Sequence, residues 1–102
     1  MARVYTRRAE DGLTKYQRFH QRHNDAMRSA LATIKLDAGC VDCGYDEDPV
    51  ALDFDHVRGE KSFTIGKAST AVSLDRLLDE VDKCDVRCAN CHRIRTDERR
   101  RA

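Results

Sequence analysis

The chain predicts a small α+β domain stapled by a metal ion. Three observations carry this reading. Two Cys-x-x-Cys pairs, Cys40/Cys43 and Cys88/Cys91, have the spacing of metal knuckles. A short stretch of alternating apolar and polar residues lies between them, and helical periodicity flanks it on both sides. The 102 residues are 36% charged and 40% hydrophobic, with no Trp. A core drawn from that composition is thin, and a chain of this length gains little from burial alone, so a staple is expected. The whole reads as one compact unit. Residues 1–37 form a basic helical extension, and residues 38–102 form the domain that carries the cysteines.

The elements follow in order. Residues 13–37 contain neither Pro nor Gly. Leu13, Tyr16, His20, Met27, Leu31 and Ile34 recur near helical spacing, which predicts an amphipathic helix with a break near Asn24 as the alternative. Gly39 ends it. CVDCGYDEDP is a turn cluster, and Gly44 supplies the positive φ that such knuckles use. In VALDFDHV, Val50, Leu52, Phe54 and His56 share one side, which predicts a strand over residues 50–57. RGEK then turns the chain and SFTI reads as the returning strand. Ser73 is a good N-cap. Leu74, Leu77, Leu78 and Val81 after it predict a second helix before the second knuckle, with Cys84 as a small buried residue on it. A last helix starts at the second cysteine pair and runs into RIRTDERRRA.

Charge is segregated along the chain. Residues 1–39 carry eight Lys/Arg against four Asp/Glu (+4), residues 40–87 six against twelve (−6), and residues 88–102 five against two (+3). Two basic ends around an acidic middle suit an anionic polymer, and solvated helix faces are the plainer alternative. MARVYTRRAEDG is not followed by an apolar run, and no stretch reaches the length of a membrane span. The expectation is a cytoplasmic protein without a membrane partner. In a reducing compartment, paired cysteines mean metal or redox chemistry rather than disulfides, and an odd total of five argues the same way.

Four thiolates match the soft tetrahedral preference of zinc, so Cys40, Cys43, Cys88 and Cys91 are the expected structural zinc ligands. His92 is then surplus to that site. CANCH also matches the attachment motif of c-type haem, but that reading leaves Cys40 and Cys43 unexplained. Asp55 and His56, adjacent at the end of the predicted strand, give His92 company. A carboxylate and an imidazole can hold a divalent ion with positions left for water and phosphate, and a second, neutral imidazole can take the proton of an attacking water. Strict alternation points Asp55 and His56 to opposite faces, so a shared site requires the strand to twist or end there, near Gly59.

Over residues 38–97 these features, in this order, resemble the HNH endonuclease family. The resemblance implies a ββα-metal unit in which His56 is the general base, Asp55 and His92 bind a catalytic Mg²⁺ or another divalent cation, and zinc is structural. It implies double-stranded DNA as substrate and a bacterial or phage origin. A homodimer or a phage or bacterial protein partner stays open, and no small-molecule cofactor is implied. Two positions depart from the family pattern. Lys83 stands where a bracing Asn is usual, and Thr96 where a further ligand is common; Asn90 is an auxiliary candidate as ligand or helix cap. Arg58, Lys61, Arg93 and Arg95 are the expected phosphate contacts near the site, with Arg3, Arg7, Arg8, Arg18 and Arg22 extending the track. His20 and His23 read as surface or packing residues. The alternative to a nuclease is a non-catalytic zinc module that binds DNA or a protein.

Overall fold

The structure, a computed structural model, describes residues 12–67 and 72–102. Helix α1 spans Lys15–Ala38 without a break at Asn24. Its start is a capping box, in which the Thr14 side chain accepts from Gln17 N–H and the Gln17 side chain accepts from Thr14 N–H. Its end is Gly39, at φ 67°, whose N–H still reaches the Lys35 carbonyl. The C-terminal half of α1 meets the core through Met27, Leu31 and Leu36. Tyr16 and Phe19, at the other end, are largely exposed. Arg3, Arg7 and Arg8 lie outside the described residues.

Strand β1 is Leu52–His56, two residues shorter at its start than the alternation predicts. Pro49–Ala51 instead makes a 3-10 turn capped by Asp48, whose side chain accepts from Val50 N–H. Proline at the first position suits such a turn and cannot donate to a strand ladder. Helix α2 is Leu74–Val81, capped by Ser73 as expected. Strand β2 is Cys84–Cys88 and helix α3 is Ala89–Arg101.

The returning strand is a correction. SFTI does not pair with β1. Residues 62–64 are irregular and Ile65–Lys67 is a second 3-10 turn. The partner of β1 is β2, antiparallel, with Leu52 opposite Cys88, Phe54 opposite Val86 and His56 opposite Cys84. The apolar residues of SFTI go inward instead: Ile65 is buried and Phe63 packs on the same cluster. The Ser62 N–H, which a ladder would need, is bonded to Glu80 Oε2 at 2.9 Å. Cys84 is buried as expected, but it opens β2 rather than sitting on α2.

Two small clusters make the core. One holds Met27, Ile65, Leu77 and Cys84, the other Cys40, Leu52 and Val86, and Phe54 packs against both. Among the described residues only Leu52 and Leu77 bury their side chains completely, so the apolar interior is as thin as the composition implies. The second cluster abuts Cys88 and Cys91 and is continuous with the cysteine site. No described helix is long and apolar enough to cross a membrane.

Candidate functional site

The four cysteines come from two junctions. Cys40 and Cys43 lie on the turn after α1, and Cys88 and Cys91 span the switch from β2 to α3. The first turn is tied to β2 by Val41 N–H to the Val86 carbonyl at 2.8 Å. Gly44 takes the expected positive φ, 81°. Each knuckle aims a backbone N–H at its first sulfur, Cys43 N at Cys40 Sγ (3.5 Å) and Cys91 N at Cys88 Sγ (3.4 Å). The N-cap of α3 is therefore Cys88, which corrects the expectation that Asn90 caps this helix. All four sulfurs lie within 4.8 Å of one another, and Cys43 and Cys88 are 3.8 Å apart. A tetrahedron with bonds of about 2.3 Å has edges of about 3.8 Å, so the group is positioned to hold a metal ion and its donors suit zinc.

Burial raises the Cys40 thiol, but the N–H groups of Cys88, Cys43 and Asp42 outweigh it and bring the thiol down to about 6. Cys91 is pushed up to about 12, first by its contact with Cys88, then by burial and by the other two sulfurs. One thiol ionises readily and its neighbours resist a second negative charge. A divalent cation removes that resistance, which is the electrostatic condition of a thiolate metal site.

The second group lies on β1 and α3. Asp53 and Asp55, two apart on β1, face α3. His92 Nδ1 is 3.0 Å from Asp53 Oδ2, and His92 Nε2 is 3.6 Å from Asp55 Oδ1. An ionised carboxylate only accepts, so Asp53 accepts a hydrogen bond from Nδ1–H, and in the neutral ring the lone pair is then on Nε2, facing Asp55. Asp55 is 4% exposed. Arg87 Nη1 donates to its Oδ2 at 2.6 Å, and Arg99 donates to Oδ1 and Oδ2 at 3.0 and 2.9 Å. Burial would raise the Asp55 carboxyl, but Arg99 and then Arg87 hold it below the usual aspartate range. Arg87 is itself buried and also donates to Asp42 at 2.7 Å.

His56 lies on the other face of β1, as alternation requires, and its Nε2 is 2.9 Å from Glu80 Oε2 on α2. Both faces nonetheless open on one cleft of about 520 Å³, lined by Asp53, Phe54, Asp55, His56 and His92, with Lys35 of α1 and Lys61 on its walls. The physical reason is the sheet. Among the described residues the sheet has two strands, so β1 is hydrogen-bonded there along one edge, and a groove along its other edge is lined from both faces. The difficulty raised by alternation is met in this way and needs no sharp twist.

Lys83 occupies the bracing position after all. Its Nζ donates to the Glu60 carbonyl (2.7 Å), Glu80 Oε1 (2.9 Å) and Ser62 Oγ (3.1 Å), while its carbonyl accepts from Val57 and Arg58 N–H. A side chain that can only donate suffices because the loop presents acceptors to it. Arg58, expected to bind phosphate, is engaged otherwise: its guanidinium donates to the Asp82 and Cys84 carbonyls and to Asp85. Lys61 lines the cleft, and Arg93, Thr96 and Asn90 line an adjoining groove with Asp53, His92, Arg100 and Arg101. Arg95 pairs with Glu98 at 3.6 Å on the exposed side of α3.

Sequence reading missed Asp53, Glu80, Arg87 and Arg99. Three of them left a signal. Asp53 repeats Asp55 at the strand period, Glu80 falls three residues after buried Leu77 on a helix, and Arg99 follows His92 by two turns. Arg87 left none. No family model, curated protein or solved structure matches the chain.

Proposed function

We propose that the protein is a metal-dependent endonuclease that hydrolyses phosphodiester bonds of double-stranded DNA, with zinc in the four-cysteine site as its structural staple. The observation that carries the reading is the cleft in which two carboxylates and two imidazoles from β1 and α3 meet beside the cysteine cluster. The resemblance to the HNH family is in accord with it and implies the same roles.

Asp55 Oδ1 and His92 Nε2 fit a divalent cation such as Mg²⁺. Ligands about 2.1 Å from a common ion stand about 3 Å apart when adjacent, and their 3.6 Å separation needs only a small closing movement. Asp53 orients His92 from behind, the usual arrangement for a metal-bound imidazole. Asp55 and His92 would hold the ion, and with two protein ligands it would stay open to water and phosphate. When bound, the ion supplies charge neutralisation at the phosphate and the leaving oxygen. His56 accepts a proton from water, the water oxygen attacks phosphorus in line, and the phosphorus–oxygen bond opposite breaks. Lys35, Lys61 and Arg93, with Arg100 and Arg101, flank the cleft and suit contacts to backbone phosphates, which position DNA without reading bases.

The test is relaxation of supercoiled plasmid by zinc-loaded protein with Mg²⁺ or Mn²⁺. A general base contributes about 10²- to 10⁴-fold, so His56→Ala should lose that much while retaining zinc. Equal cleavage by both proteins would assign the activity elsewhere. A second reading, a zinc module that binds without cutting, draws on the Asp55 carboxylate, whose oxygens are already satisfied by Arg87 and Arg99. DNA binding with no cleavage in either metal would favour it.

A further inference from the structure

Glu80 is a charged residue with 2% exposure on an eight-residue helix in a protein that buries few side chains. A buried carboxylate needs a full set of donors, and here they are the Ser62 N–H and His56 on Oε2 and Lys83 Nζ on Oε1, each at 2.9 Å. Lys83 and Ser62 hold the carboxylate in place independently of the histidine. Two of the three donors thus fix the carboxylate, and the third is the imidazole proposed as the base.

We propose that Glu80 is the positioning residue of His56: it accepts a hydrogen bond from Nε2–H, which in the neutral ring leaves the lone pair on Nδ1 to take a proton from water. This rests on the nuclease reading. The tautomer follows from hydrogen-bond chemistry. An ionised carboxylate has no proton to give, so a 2.9 Å contact to Nε2 requires that nitrogen to donate. Ionisation of Glu80 is favoured: burial would raise its carboxyl, but Lys83, Ser62 and His56 outweigh that and bring it down to about 2. In the proposed reaction the water proton goes to Nδ1 while Nε2–H stays hydrogen-bonded to Glu80. The imidazolium is then formed against a fixed negative charge, and the ring is already in the orientation it needs. Glu80 touches neither substrate nor the reacting atoms; it acts through His56.

The experiment is ¹⁵N NMR of the histidine rings in zinc-loaded protein at pH 8, with His56 assigned by its loss in His56→Gln. The expected result is an unprotonated Nδ1 and a protonated Nε2 at His56. In Glu80→Ala the two nitrogens should average toward a tautomer mixture, and kcat for plasmid nicking should fall on the order of 10- to 100-fold, part of the general-base contribution, with KM little changed. Lys83→Met, which removes a brace but leaves the carboxylate, should keep the wild-type tautomer. Should Glu80→Ala lose its fold, the rings of wild type and Lys83→Met decide. A protonated Nδ1 in wild type, a tautomer unchanged in folded Glu80→Ala, or a tautomer lost in Lys83→Met overturns the assignment to Glu80 while cleavage by wild type stands. The expected tautomer without any cleavage by wild type overturns the nuclease reading, and the catalytic role of Glu80 falls with it.

Discussion

Replacing Asp55 by alanine should cost the fold far more than replacing its exposed partner. The Asp55 and Arg87 side chains are 5% and 3% exposed and 2.6 Å apart. Removing one member of such a pair strands the other charge in the interior, which costs about 3–5 kcal/mol. Arg87 keeps Asp42, whose side chain is one-third exposed, at 2.7 Å, so the lower end, about 3 kcal/mol, is the better expectation. Arg99 also binds Asp55, but its side chain is 47% exposed, and an ion pair of that kind contributes about 0–1 kcal/mol. Urea unfolding with zinc in excess, followed by circular dichroism, measures both. With a slope of about 1–3 kcal/mol per molar, Asp55→Ala should unfold roughly 1–3 M earlier and Arg99→Ala nearly with wild type. The folded carboxyl ionises more readily than an unfolded one, so the deficit should be full above the ordinary aspartate range and shrink as pH falls below that range through the lower folded value. Equal, small shifts for the two variants would refute the buried-pair argument.

Three further outcomes are expected. One zinc per chain should bind, and its chelation, or Cys43→Ser, should abolish dispersed NMR signals, because an apparent ~10–16 kcal/mol of zinc affinity equals or exceeds the ~5–15 kcal/mol stability of an ordinary domain; an apo protein with native spectra would remove zinc from the structural role. Arg99→Ala should tighten Mn²⁺ binding by about 2- to 5-fold in a paramagnetic resonance titration, since removing a guanidinium worth up to ~1 kcal/mol frees Asp55 Oδ1, the oxygen facing His92, while Arg87 keeps Oδ2; unchanged affinity would show that Asp55 is not a ligand. Cys84 is raised to about 11 by burial and by Glu80 and Asp55, so at pH 8 it should carry about 100-fold less thiolate than an ordinary cysteine and, allowing about 10-fold for the greater nucleophilicity of the rarer anion, alkylate at least about 10-fold more slowly; rapid labelling by iodoacetamide in the zinc-loaded protein would contradict its place in the core.

What could be read from sequence was what is local. The cysteine knuckles, the caps at Ser73 and Gly39 and the helix α2 are set by residues a few positions apart, and each forms as expected, although of the α2 stripe Leu77 is buried and Leu74 and Leu78 are exposed. The strand pairing was misread because two stretches alternate and only one can pair. In SFTI, Phe63 and Ile65 show period two, yet the core takes both from an irregular segment. In CDVRC, Cys84, Val86 and Cys88 also show it, but Asp85 and Arg87 between them look like the polar face of an edge. Arg87 is buried because Asp42 and Asp55, forty-five and thirty-two positions earlier, pair with it, and no local pattern reports partners at that distance.

The same limit explains why sequence reading found both histidines of the cleft and, through the family resemblance, expected a role for each, but missed the groups that orient their rings. An imidazole's function depends on which nitrogen is free, and that is set by the acceptor on the other one. For His92 the acceptor is Asp53, thirty-nine residues away, on Nδ1; for His56 it is Glu80, twenty-four residues away, on Nε2. The two rings are oriented by carboxylates from opposite sides of β1 and present opposite nitrogens. His92 offers Nε2 beside Asp55, the arrangement of a ligand. His56 has the buried Glu80 carboxylate on Nε2, which suits the base proposed for it. Exchanging Asp53 for asparagine removes the negative charge that orients and polarises the ring and leaves an amide that can present either a donor or an acceptor, so Asp53→Asn should weaken divalent-metal binding while the Nε2–H tautomer of His56 stays unchanged. Loss of that tautomer in Asp53→Asn would mean that the two pairs are one coupled network and that the division of labour between the histidines is wrong.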